Sequence, residues 1–418
     1  KVTWMEEIKP VENANNSKYD KRFWRGAIIG SLTMLFICSL VGGTIAIVSV
    51  LRNGNSPQEQ TKEGIVSDDT LQKLEAIQTL IDLYYLYPDQ MDVDALQEAL
   101  IKGYVSGLGE PYSVYYDAQE TQELYETTSG TFGGIGVGIM QDLNNGLATF
   151  TTIYEGTPGD KAGFKEGDIV YKIDGEDVSG MDLDTIVSKI RGEIGTKVKI
   201  TVIRDNEEYT ATAVRDLIKN DTVNYEMKAG QIGYIRVTGF EEVTYEQFKD
   251  AMEALNKQGM KGLVVDLRSN PGGNLSTVCQ MCDLILPEGT IVSIKDKNDN
   301  GEVYKSDKKT LLNVPLGVLV NEYSASASEI FAGAVQDFGL GTIVGKTTYG
   351  KGVVQNVFDL KDGTSLKITC SEYFTPDGRN IHGVGIKPDI EVESEYDSSN
   401  TEYDNQLEKA LEVLKEKK

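Results

Sequence analysis

The first feature of the hydrophobic pattern is an unbroken apolar run. Gly26 to Leu51 carries no charged residue, and a bilayer core needs about 20 such residues. Lys18, Lys21, Arg22 and Arg25 precede the run, and only Arg52 follows closely. This charge bias puts the N-terminus in the cytoplasm and the bulk of the chain outside. The run is long for a signal peptide and no A-x-A site closes it. The pattern therefore predicts a cytoplasmic tail over 1–25, one uncleaved transmembrane helix over 26–51 and a polar linker over 52–64, with the following part on the outer face of the cell membrane (extracellular or periplasmic).

Beyond the linker the period becomes helical. Leu71, Leu74, Ile77, Ile81 and Tyr84 recur on one face after the cap-type residues Ser67, Asp68 and Asp69, and Pro88 ends the stretch. Further helical stretches run over 94–108 and 118–127. Residues 65–129 thus read as a helical module. Residues 130–216 hold five short β-type runs and one helix, a compact β-rich domain. From 217 to 398 strands and helices alternate: IGYIRV, LVVDLR and GVLV are strands, with helices between them. This argues a parallel or mixed α/β sheet. Functional loops in such sheets lie at the carboxyl ends of strands, here Arg268–Asn274, Asn321–Ser326 and Lys346–Gly352. In the last segment, 399–418, Leu407, Ala410, Leu411 and Leu414 share a helical face. The apolar faces of this helix and of the helical module suggest self-association, a homodimer being the simplest form.

Composition narrows the function. With 41 Lys+Arg against 65 Asp+Glu the net charge is -24, so nucleic acid is not an expected partner. The single histidine, His382, excludes multi-histidine metal sites, and four cysteines exclude a disulfide-dense scaffold. Cys279 and Cys282 form a CxxC inside an apolar helix with no second pair, which reads as packing. No metal or cofactor is expected.

Two short segments carry candidate chemistry. In Asn321-Glu322-Tyr323-Ser324-Ala325-Ser326-Ala327-Ser328-Glu329 an apolar strand gives way to a helix of small residues. A serine there offers a hydroxyl beside free backbone N–H groups, as acyl transfer needs; it also fits a plain N-cap. With one histidine in the chain, a neutral lysine is the natural alternative base. Lys351 lies between two glycines in TTYGKGVVQ, and Gln355 four residues on is placed to hold its amine. Ser269-Asn-Pro-Gly-Gly-Asn274 is a turn able to aim N–H groups into a cleft. The glycine-rich Gly133–Gly138 lacks the lysine and strand–helix context of a phosphate loop, but its amides suit a carboxylate.

Taken together, NEYSASASEIFAGAVQD, YGKGVVQ with a 25-residue spacing from Ser326 to Lys351, LRSNPGG, EPYSVYY, FGGIGVGI and GIKPDI resemble the C-terminal processing peptidases, or tail-specific proteases. The resemblance selects Ser326 among the three serines as nucleophile, Lys351 as general base and Gln355 as its orienting partner. It implies an oxyanion hole from the Ala327 N–H and a glycine N–H of Gly272 or Gly273. It identifies 130–216 as an inserted PDZ domain, with Gly159-Asp160 where alanine plus a polar residue is commoner. Ile135, Gly136 and Val137 would be its carboxylate loop. The implied fold is a crotonase-like α/β peptidase core with a mixed sheet.

The expectation is a membrane-anchored serine endopeptidase that recognises protein or peptide substrates by their free C-termini. A non-catalytic, membrane-tethered PDZ adaptor or sensor is the alternative from a different class. An acyl-CoA enzyme on the same core is disfavoured by the absence of an evident basic nucleotide-binding patch.

Overall fold

Helix ends in this chain are set by local capping. Ser67 accepts the Thr70 N–H and opens helix α1, Asp68–Tyr84; Asp92 caps α2, Val93–Ser106, through the Ala95 N–H. In α3, Ala118–Ser129, Asp117 and Glu120 cap each other's backbone N–H groups, and Gly130 at φ 72° closes the helix. The computed structural model describes residues 64–142, 145–395 and 403–416. The chain divides into two compact units, Lys1–Met91 and Asp92–Lys418.

In the first unit the described part is α1 and a single 3₁₀ turn, Pro88–Gln90. No residue of α1 is buried; Leu71, Ile77, Leu80 and Leu83 are all exposed. The expected cytoplasmic tail (1–25) and transmembrane helix (26–51) lie outside the described residues, as does all of the linker except Gly64. Among the described residues no helix is long and apolar enough to cross a membrane. The longest, α1, has 17 residues and carries Asp68, Asp69, Lys73, Glu75 and Asp82, too short and too charged for an apolar core of about 30 Å. The expected single-pass placement in the cell membrane is corrected accordingly: nothing described supports it.

In the second unit, strand β1 (Val114–Tyr116) lies between α2 and α3 and pairs antiparallel with Ser365–Lys367. The stretch expected to be a helical module thus contributes a strand to an antiparallel sheet. Strands β2 (Thr131–Gly134) and β9 (Asp216–Lys219) form a two-stranded ribbon that brackets the β-rich domain. Between them run β3 (Val137–Gln141), β4 (Ala148–Ile153), β5 (Ile169–Ile173), β6 (Glu176–Asp177), β7 (Lys197–Arg204) and β8 (Glu207–Val214). All pair antiparallel, with helix α4 (Pro158–Lys161) and helix α5 (Leu183–Ile190) against them. Phe150, Phe164, Val198, Ile200 and Val202 form their separate core.

The larger sheet runs β10 (Val223–Lys228), β11 (Ile232–Val237), β12 (Gly262–Asp266), β15 (Leu316–Val320), β16 (Gly341–Gly345), β19 (Ile390–Glu391). Only the β10–β11 pair is antiparallel, so the sheet is mixed. β12 and β15 are buried at every position, because both faces are covered. Leu263, Val265, Val318 and Val320 face the main core with helices α6 (Thr244–Lys257), α7 (Leu275–Asp283) and α8 (Ala327–Asp337). Val264 and Leu319 alternate to the opposite face, where Ala410 and Leu414 of α9 (Asn405–Glu416) cover them. The apolar face of α9, expected to serve self-association, is therefore spent on this sheet. A second sheet packs β13 (Gly289–Asp296), β14 (Gly301–Ser306), β17 (Val353–Asp359) and β18 (Ser365–Phe374) with β1, all antiparallel.

Candidate active site

The three loops singled out by the sequence follow β12, β15 and β16, which are neighbours in the parallel part of the sheet. Their carboxyl ends bring Pro-Gly-Gly, Ser326 and Lys351 to one edge. Asn270, fully buried, joins the first two loops. Its side chain accepts the Gly272 N–H (2.9 Å) and donates to the Val237 carbonyl, while its own carbonyl accepts the Ala325 N–H (3.0 Å) and the Ser328 hydroxyl (3.0 Å).

The structure discriminates among the three serines. Ser324 and Ser328 are fully buried and their hydroxyls are donated to the Leu267 and Asn270 carbonyls. Ser326 alone is partly accessible. It precedes α8 at φ 55° and ψ -112°, a conformation costing a non-glycine residue about 1–3 kcal/mol. Tyr373 donates its hydroxyl to the Ser326 carbonyl (3.1 Å) and helps hold it there.

Lys351 enters from the loop after β16. The flanking glycines are required by close approach. A Cβ on Gly350 would come within 3.0 Å of the Val384 and Gly385 amides, and one on Gly352 within 2.6 Å of the His382 amide. The amine is half-buried, 4.7 Å from the centre of the Tyr112 ring. Burial holds its pKa below the ordinary lysine value and the nearby Lys367 charge adds to this, while Glu110 and Glu329 oppose it. The net effect favours the neutral amine that a base must present.

Glu329 ties the two segments together. It is fully buried. Its Oε2 accepts the Ser326 N–H (2.8 Å) and the Lys351 N–H (2.8 Å); its Oε1 accepts the Gly350 N–H (2.7 Å) and the Thr348 hydroxyl (2.6 Å). Sequence reasoning missed this residue, although a glutamate three positions after an N-cap serine is the spacing of a capping box.

Comparison with known proteins adds a second line of evidence. The pattern of peptidase family S41 matches residues 231–392, that of a PDZ domain 149–204, and that of the activating protease CtpB N-terminal domain 26–121. The carboxy-terminal processing protease CtpA of Bacillus subtilis is 35% identical over 365 residues, covering 87% of this chain and 77% of that protein. The chain belongs to peptidase family S41. A probable CtpA-like serine protease of Staphylococcus aureus is 36% identical over 371 residues, covering 87% of this chain and 74% of that protein. Among solved structures, the photosystem II D1 C-terminal processing protease is 28% identical with a TM-score of 0.46, covering 78% of this chain and 94% of that one. The protein is accordingly a C-terminal processing serine protease with a PDZ domain, acting on protein substrates.

In this S41 peptidase the remaining candidates fall as follows. The Gly272 N–H is committed to Asn270, whereas the N–H groups of Gly273 and Ala327 donate to no protein acceptor among the described residues. Gly272 lies against Ser326: a Cβ on it would stand 2.8 Å from Ser326 Cβ and 3.0 Å from the Ala327 nitrogen. Gln355 is half-buried on β17 and donates to Thr369 Oγ1 (3.1 Å); no hydrogen bond joins it to Lys351 among the described residues. Nor does one join Ser326 Oγ to Lys351 Nζ. His382 is exposed, and its Nδ1 accepts the Gly352 N–H (3.3 Å). Cys279 and Cys282 are buried in the core with free thiols; burial pushes Cys279 up to about 12.

In the PDZ domain Ile135 is buried and Gly136 turns at φ 70° against Thr157, whose hydroxyl donates to the Gly136 carbonyl (3.1 Å). A Cβ on Gly159 would stand 2.7 Å from Val137 Cγ1 and 2.9 Å from the Ile135 carbonyl, so the usual alanine is crowded at this position. The N–H groups of Ile135 and Gly136 donate to no protein acceptor among the described residues. Val137 opens β3.

Proposed function

We propose that the protease cleaves by a Ser-Lys dyad, with Ser326 as nucleophile and Lys351 as general base. Ser326 Oγ attacks the scissile carbonyl carbon as its proton passes to the Lys351 amine. The carbonyl oxygen, now an oxyanion, accepts from the Ala327 and Gly273 N–H groups. As the tetrahedral species collapses, the carbon–nitrogen bond breaks and the Lys351 ammonium returns its proton to the leaving amine. Water, deprotonated by the same lysine, then attacks the acyl ester; as the carbon–Oγ bond breaks, the Lys351 ammonium returns that proton to Ser326 Oγ and the acid product leaves. The observation that carries this reading is the shared Glu329 carboxylate, which fixes the backbone of nucleophile and base to one buried group. Gln355 acts through Thr369 and the β17–β18 pairing to hold the strand that follows Lys351.

Substrates would be chosen by their C-terminal tails. The carboxylate would sit on the N–H groups of Ile135, Gly136 and Val137, and the tail would add as a strand to the PDZ sheet. The free N–H groups of Ile135 and Gly136 support this. Two copies would associate through α1, whose apolar residues are exposed. The test of the catalytic reading is degradation of a loosely folded reporter with an apolar C-terminal tail by the full chain, beside Ser326→Ala and Lys351→Ala.

A further inference from the structure

The segment Gly109–Ser113 lies within the stretch read from the sequence as a helical module. The structure puts it at the base. Gly109 turns at φ 74°, and Glu110 then accepts the Tyr112 N–H through Oε2 (2.9 Å). Ser113 accepts the Thr369 N–H (3.0 Å), and β1 continues the register with Val114 opposite Lys367. Thr369 also receives Gln355. This stitching fixes the Tyr112 ring under the Lys351 amine and sets Glu110 near enough to act on its charge. The Oε1 atom of Glu110 is buried. Burial works against ionisation of Glu110, but the Ser113 hydroxyl, the Tyr112 and Ser113 amides and the Thr369 hydroxyl outweigh it and keep the carboxyl ionised, its pKa below the usual value.

We propose that Glu110 and Tyr112 are positioning residues that hold the Lys351 amine in place and stabilise the positive charge it gains when it takes the Ser326 proton. This rests on the Ser-Lys reading and deepens it. A base of this kind faces two demands. It must be neutral at rest, which burial and Lys367 favour. It must also hold a proton during attack, which an aromatic face and a carboxylate favour. The groups facing Lys351 divide accordingly: Lys367 on β18 disfavours the cation, and Glu110 and Glu329 favour it. Tyr112 offers its ring face to the amine, and its hydroxyl is held neutral by burial and by the adjacent Tyr349 hydroxyl. Tyr116 holds Lys367 through its hydroxyl (2.6 Å), and His382 sits on the Gly352 amide. Without Glu110 and Tyr112 the amine would remain neutral but would be a weaker base.

The experiment is the pH profile of kcat/KM for the full chain and for Glu110→Gln, Tyr112→Phe and Tyr112→Leu, with Lys351→Ala as reference. Glu110→Gln is expected to move the acid limb to lower pH and to lower the alkaline plateau. Tyr112→Leu, which loses the ring face, should lower the plateau by about 10-fold, while Tyr112→Phe keeps the face and stays within about 3-fold of the unchanged protein. A Glu110→Gln profile scaled down with its limb unmoved, or Phe and Leu variants alike, would overturn the proposal. Thermal unfolding of each variant separates these outcomes from misfolding, and the Phe/Leu pair decides if Glu110→Gln does not fold. If Lys351→Ala retains full activity, the dyad reading itself fails; if it is inactive while the other variants behave as unchanged protein, only this inference fails.

Discussion

Ser326 and Lys351 donate their backbone N–H groups to the same oxygen, Oε2 of the buried Glu329, each at 2.8 Å. The two residues come from loops after different strands, yet one carboxylate sets both. Glu329→Ala would leave three backbone donors and the Thr348 hydroxyl unpaired in the interior. The expected cost is about 3–5 kcal/mol of stability with loss of turnover, read by denaturant unfolding and reporter degradation. Glu329→Gln can still accept but loses the charge, and should fall between the two.

Ser326 also stores strain. Its φ of 55° is one that glycine adopts freely. Ser326→Gly should therefore be inactive and yet more stable than the unchanged protein, by about 1 kcal/mol. Chemical denaturation of the two proteins side by side checks this; a Ser326→Gly variant less stable than its parent would argue that the loop is relaxed.

The pKa of Lys351 lies below the ordinary lysine value, lowered by burial and by Lys367. Below it the amine is protonated and cannot act as base; above it the amine is free. Activity should thus rise with pH through the lowered value. Lys367→Gln removes a repelling charge, so the Lys351 pKa should rise and the acid limb should shift to higher pH. The rate–pH profile of both proteins tests the sign.

Gly272 has no room for a side chain. At φ 103°, a Cβ would stand 2.8 Å from the Ala325 carbonyl and from Ser326 Cβ. Gly272→Ala should displace the nucleophile loop and cut turnover by about 10²-fold or more, at a stability cost of about 1–3 kcal/mol. Single-turnover cleavage together with thermal unfolding distinguishes displacement from simple unfolding.

Much of this was legible in the chain. Alternating strands and helices gave the sheet, and three loops at strand ends gave the location of Ser326, Lys351 and the Pro-Gly-Gly turn. The choice of Ser326 over Ser324 and Ser328 needed either family resemblance or the burial that the fold imposes. What periodicity could not show is long-range pairing. β1 is three residues long, too short for a period, and its partner lies some 250 positions later, so Tyr112 beneath Lys351 was invisible. The face of α9 was legible as apolar, but not that Val264 and Leu319 would cover it. Glu329 looked like an ordinary capping glutamate because its other two hydrogen-bonded donors, on Gly350 and Lys351, and the Thr348 hydroxyl lie about 20 residues away in sequence.

α1 exposes Leu71, Ile77, Leu80 and Leu83. If these meet a second copy, light scattering of the full chain should give a dimer mass, and Leu80→Asp with Leu83→Asp should give a monomer. A monomeric mass for the unchanged protein at working concentrations would remove the association.

The most direct measurement is turnover of a loosely folded reporter ending in an apolar tail by the full chain, Ser326→Ala and Lys351→Ala, with binding of the tail measured in parallel. The dyad account predicts that both variants bind the tail as the unchanged protein does while cleavage falls by at least about 10²–10⁴-fold. Cleavage by Lys351→Ala at the unchanged rate across the pH range would contradict it.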